Sequence, residues 1–262
     1  MILNSPTLAM KQLIKTLLIS LSLLLVLSLP VYSQFEGEIQ FQGEDFTDPQ
    51  SGQLGFTLTS AIDRILISSD HNVNVITGLN ANGLLIRNDL QDFVFYTDTD
   101  QALKVSKDDL DGLMNMIDRF GGSAANGEPE PFDWESGVEE TGNTKSHLGY
   151  TVHEFRLQGE NARQFVSIWL TEDIKMRWGL MVDVWDRVGT KFSESELPIE
   201  LIMNPNSFPL LVEVFDGGNL VFKIESTSVN TTGFDRSAVE LSDDKALLGL
   251  TELMMNMFRQ RR

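Results

Sequence analysis

Five of the ten methionines, Met114, Met116, Met254, Met255 and Met257, fall in two short apolar stretches with helical spacing. Methionine is unbranched and polarizable, so such clusters suit a surface that accepts apolar ligands of varied shape. They equally suit helices that fill irregular gaps in a core. The three histidines, His71, His147 and His153, include no pair at the i, i+4 spacing of a helical zinc site and read as hairpin or surface residues. A hydrolytic serine needs a strand-to-helix elbow such as G-x-S-x-G, which is missing. Asp98 and Asp100 begin like a calcium loop, but the downstream glycine and closing glutamate are not there, so they read as an acidic hairpin tip. With 38 acidic residues, paired carboxylates for acid-catalysed hydrolysis can be drawn almost anywhere, and no particular pair is singled out. No metal and no cofactor is expected.

The elements that position these residues begin after a leader. Lys11 and Lys15 precede an apolar run of 13 residues, Leu17 to Leu29, and Val31-Tyr32-Ser33 gives the small and branched positions of a peptidase site. The expectation is a signal peptide over residues 1–33, cleavage after Ser33, and a mature chain in the periplasm or outside the cell. Thirteen residues fall short of the roughly 20 needed to span a bilayer, so no integral membrane span is expected after cleavage. Without cysteine there are no disulfides, no thiolate metal sites and no lipid-modified cysteine. A formal charge of −18 with scattered basic residues excludes the cationic footprint of a nucleic-acid binder.

In the mature chain, apolar residues alternate over Phe35–Phe41 and Leu54–Leu58, and further short strands read at Ile65–Ser68, Val73–Ile76, Gly83–Arg87, Phe93–Tyr96 and Ala102–Val105. Short strands about ten residues apart predict an antiparallel meander. Ser106 and Asp109 open an amphipathic helix over 107–120, with Leu110, Leu113, Met114 and Ile117 on one face. Residues 121–133 read as an exposed loop. Strands resume at 134–140, 150–157, 165–171, 210–215 and 220–224, the last two joined by Asp216-Gly217-Gly218-Asn219. Trp178, Met181, Val182 and Trp185 suggest a helix over 175–189. Ser242, the acidic pair Asp243-Asp244 and the arginines beyond 258 suggest a helix over 243–258. Strand 165–170 is apolar on both faces, which requires a sheet covered on both sides or curled around helices. The predicted class is α+β, one domain over 34–262.

Thr144-Lys145 with Gly149-Tyr150, and Trp169-Leu170-Thr171-Glu172-Asp173, resemble the T-K-x-x-x-G-Y and W-x-T-x-D motifs of a bacterial secreted family of unknown function whose fold is similar to the lipoprotein carriers LolA and LolB. Val152 stands where that family commonly has cysteine, and its closing F-x-x-P-x-G-Y segment is replaced by the Met-rich C-terminal stretch. The resemblance implies an open, curved antiparallel sheet, a LolA-like half-barrel, with helices covering the concave face and room for an acyl chain. It implies no catalytic residue. The expected function is non-enzymatic binding or carriage of a hydrophobic small molecule or lipid, with Met114, Ile117, Met254, Met257 and Phe258 lining the pocket and Trp169 on the sheet wall. The alternatives are an envelope interaction module, with another envelope protein as partner, and an acid-catalysed hydrolase.

Overall fold

The computed structural model describes residues 34–48, 52–76, 79–97, 99–112, 137–159, 162–183, 199–241 and 245–252. Residues 34–262 cluster as one compact unit. Its frame is one sheet of twelve strands: β1 Gly37–Asp45, β2 Gln53–Ala61, β3 Arg64–Ile76, β4 Leu79–Arg87, β5 Asp92–Thr97, β6 Gln101–Ser106, β7 Val138–His147, β8 Tyr150–Gln158, β9 Phe165–Thr171, β10 Phe208–Asp216, β11 Asn219–Asn230 and β12 Ala246–Gly249. The spatial order is β12-β6-β5-β4-β3-β2-β1-β11-β10-β9-β8-β7. Every pairing is antiparallel except β12 on β6. Two meanders therefore meet where β1 pairs with β11.

Alternation fixes which side chains share a face. Register partners carry an unbroken apolar row from Ile39 through Leu58, Ile67, Leu84 and Phe95 to Leu103. The adjacent row holds Ile65, Ile86, Phe93 and Val105. On the opposite face Leu66, Leu85 and Val94 form a second cluster, closed by Val239 of a 3₁₀ turn over Arg236–Val239. The first meander is thus apolar on both faces. Within the second cluster's face, Arg87 grips Asp92 through two hydrogen bonds of 2.6 and 2.8 Å, and both side chains are buried.

The second meander curls. His147 Nε2 lies 2.9 Å from the carbonyl oxygen of Ser226 and 3.0 Å from its hydroxyl, although β7 and β11 are four strands apart in the sheet order. In a flat sheet that separation is about 19 Å, well beyond an imidazole's reach. The β10–β11 hairpin follows the sequence signal: Gly217 and Gly218 both have positive φ, 58° and 83°, the pair of left-handed positions that a type I′ turn demands.

Two expected helices are corrected. Residues 246–249 form β12 and helix begins only at 250, because Ala246 to Gly249 find a ready partner in the outer edge of β6. Residues 174–178 are extended, with one helical turn at 180–183. In contrast, the Ser106 cap is present: the Asp109 backbone N–H donates to Ser106 Oγ at 3.1 Å, residues 107–112 are helical, and Leu110 packs against the inner core. β4 also begins at Leu79, four residues before the strand expected at Gly83–Arg87.

Candidate functional site

Two neighbouring features carry the candidate site: a strap across the inner face of the sheet, and a polar cluster inside the curl. The strap is the segment leaving β9. Ile174, Met176, Trp178 and Leu180 are buried, at 1, 1, 6 and 1% exposure, while Lys175, Arg177 and Gly179 between them are more open. This is period-two burial without membership of the sheet. The strap is anchored by the Phe35 N–H donating to Lys175 O (2.8 Å), and by Asn88, which donates to Arg177 O (3.3 Å) and accepts from the Leu180 N–H (2.8 Å). Its four side chains join Ile39, Phe41, Leu58, Ile65, Ile86 and Phe93 in the principal core. Aromatic rings run through the same space: Phe56 stacks on Phe41 at 4.7 Å, Phe41 meets Phe208 at 6.2 Å, and Phe208 stacks on Trp178 at 5.9 Å. The buried indole N–H of Trp178 has no hydrogen-bond partner among the described residues.

Inside the curl, Trp169 on β9 is half-buried against that core. Lys145 Nζ on β7 sits 3.6 Å from the Trp169 ring centroid, a cation–π contact, and the indole N–H donates to Glu213 on β10 at 2.9 Å. Lys145 and Glu213 are themselves 3.8 Å apart. Glu154 sets this geometry. One of its oxygens accepts from Ser167 Oγ (2.7 Å) and Arg156 (3.0 Å), the other from Asn143 Nδ2 (2.7 Å) and Thr141 Oγ1 (2.8 Å). Thr141 and Asn143 flank Gly142, φ 74°, in the irregularity of β7 that aims Lys145 at Trp169. Burial pushes the Glu154 carboxyl up, but the hydrogen bonds from Ser167, Asn143, Thr141 and Arg156 outweigh it and hold the pKa at about 2. A carboxylate with four donors and no proton at neutral pH fixes structure rather than transferring protons. Among the described residues no group of three histidines or carboxylates is placed to hold a metal ion.

Trp169 is the one expected site residue within the described part of the chain. Met114, Ile117, Met254, Met257 and Phe258 lie outside it, as does the 121–133 loop. No family model and no curated protein matches the sequence. Solved structures of PNGF-II in its P21 and C2 crystal forms are similar at 16 and 14% identity, each with a TM-score of 0.39, and cover 83 and 86% of this chain. The chain spans about a third of their length, 32 and 33%.

Sequence reasoning missed the strap. Its signal is the alternation Ile174, Met176, Trp178, Leu180, which competes with the helical spacing of Trp178, Met181, Val182 and Trp185. Lys145 and Trp169 stand in the T-K-x-x-x-G-Y and W-x-T-x-D motifs, but nothing in the sequence shows that β10 pairs with β9 to bring Glu213 beside Trp169, or that β7 is separated from β9 by β8 alone.

Proposed function

We propose that this is a non-enzymatic protein of the periplasm or the extracellular medium that binds a hydrophobic ligand, an acyl chain of a lipid or lipoprotein, against the inner face of the sheet. The observation that carries the reading is the strap: an extended apolar segment already lies where a chain-like ligand would lie, held by few main-chain bonds. Lifting four buried side chains into water costs about 6–12 kcal/mol at 1.5–3 kcal/mol each. An acyl chain of about fifteen methylenes returns about 12 kcal/mol at 0.8 per methylene. Exchange of strap for chain is therefore close to balanced, which is what reversible loading needs. The indole N–H of Trp178 supplies one donor for an ester or carboxyl oxygen. In this reading the helical segments that begin at 107 and at 250 lead into the cover of the concave face, with Met114, Ile117, Met254, Met257 and Phe258 facing the ligand and Trp169 on the wall. The non-enzymatic assignment draws support from Asp92 and Glu154, whose carboxylates are both committed, to Arg87 and to four donors.

The test is titration of residues 34–262 with a fluorescent fatty acid. The double variant Met176→Ala, Leu180→Ala weakens the competing strap, so it should bind the probe more tightly while being less stable. Absence of saturable uptake by both proteins would refute carriage. It would then favour a second reading, an envelope interaction module, which the complete burial of Ile39, Ile65, Ile86 and Leu210 in the inner face also supports.

A further inference from the structure

Three non-glycine residues among those described have left-handed backbone: Ile62 (φ 56°), Gln91 (φ 53°) and Leu148 (φ 51°). They occupy the turns β2–β3, β4–β5 and β7–β8, and because β2, β4 and β7 run in the same direction these turns lie on one rim of the sheet. Such positions favour glycine or asparagine, and a β-branched residue there is a clear outlier. The same turns display the three most exposed large apolar side chains described, Ile62 at 60%, Leu90 at 52% and Leu148 at 44%. Each of these turns thus pairs strained backbone with an aliphatic side chain in water.

Surrounding bonds hold the first two turns in place. The Ile62 N–H donates to Glu36, its carbonyl accepts from Gln34, and the Asn88 N–H reaches the carbonyl of Asp63. The Lys107 N–H donates to the Gln91 carbonyl, and Gln91 Nε2 to that of Asn88. Strain maintained this way marks a site where the side chain matters more than the turn. Beside the first two tips the charges are paired, five acids with four bases: Glu36 with Arg236, Asp63 with Arg177, Asp183 with Lys107, and both Asp89 and Glu240 with Arg64. That pairing is local, since the whole chain has 38 acidic against 20 basic residues.

We infer that this rim docks on a lipid bilayer with zwitterionic head groups, with Ile62, Leu90 and Leu148 entering the interface. A protein partner would need a contiguous apolar core. Here the tips stand on separate turns, roughly 10 Å apart for the first two from the strand spacing, with ion pairs between them. A fluid interface fills around separated side chains, and alternating charges match head-group dipoles. Anionic lipid is disfavoured by the charge of −18. The inference concerns where the protein sits and stands whether or not an acyl chain is carried.

The experiment is co-sedimentation of residues 34–262 with phosphatidylcholine vesicles and with phosphatidylglycerol vesicles. The protein should partition onto the former at least tenfold more strongly. The double variant Ile62→Asn, Leu148→Asn should lose at least tenfold in phosphatidylcholine binding while its melting temperature stays or rises, because asparagine suits both turns. Leu90→Ser, at a position without left-handed backbone, should weaken binding independently of turn strain. Failure of the parent protein to bind phosphatidylcholine, or unchanged binding by both variants, overturns the inference. So does loss of self-association in the variants without loss of vesicle binding, which would make the rim a contact between copies.

Discussion

Replacing Glu154 by glutamine removes a charge that four donors stabilise, and the size of the effect follows from its titration. The folded carboxyl has a pKa of about 2 against an ordinary 4.5. Between those values the unfolded chain binds a proton that the folded chain does not, so stability falls as pH falls through this window. Glu154 thus stabilises the fold above pH 4.5, by about 3 kcal/mol for a shift of this size, and that contribution is gone below pH 2. Urea denaturation of the parent and Glu154→Gln proteins at a series of pH values isolates it, because all other carboxylates titrate in both. The difference between the two should be about 3 kcal/mol near neutrality and shrink steadily between pH 4.5 and 2. A difference that is independent of pH, or below about 1 kcal/mol throughout, would show that the four contacts do not hold the charged form. Because Thr141 and Asn143 lose their anchor, Trp169 emission should also change in the variant.

Other expectations concern packing and pairing. Leu180→Ala removes a strap side chain that is 1% exposed and should cost about 2–5 kcal/mol by chemical denaturation. Arg87→Met leaves the buried Asp92 with Lys104 alone, 3.4 Å away, and should cost less than the roughly 3–5 kcal/mol of a buried charge with no partner, whereas Arg87→Met combined with Asp92→Leu should come within about 1 kcal/mol of the parent stability. His147→Ala releases the bond between β7 and Ser226, and should cost about 1 kcal/mol and speed amide exchange selectively in β7 and β8.

Strands were legible where alternation or a short apolar run met a turn signal. Ile39 and Leu58 stand in period-two runs, Ile67, Leu84, Phe95 and Leu103 in short apolar runs between turns, and the Gly217-Gly218 turn admits few alternatives. Legibility failed where one stretch satisfies two periods: Ile174 to Trp185 fits an alternating and a helical template, and burial against the sheet chose the first. It failed again at Ala246–Gly249, where the available edge of β6 overrode the helix-like composition of the flanking sequence. Curvature is invisible in any single strand, since it is a property of the neighbours. Left-handed Ile62 and Leu148 ran against expectation altogether, because turn chemistry argues for other residues there.

The meeting of β1 with β11 has a kinetic consequence. Glu38 pairs with Asn230, so the middle of the sheet is closed by two strands far apart in the chain, while all other antiparallel contacts join consecutive strands. Each half can zip by local hairpins. The seam cannot form until β11 has been made, and until then the free edge of β1 is an open template for strands of other molecules. The last step of folding is thus the step that removes the hazard of aggregation. In pulse-labelled exchange the hairpins β3–β4 and β5–β6 should be protected before Phe41 and Ser226, and simultaneous protection would contradict this order.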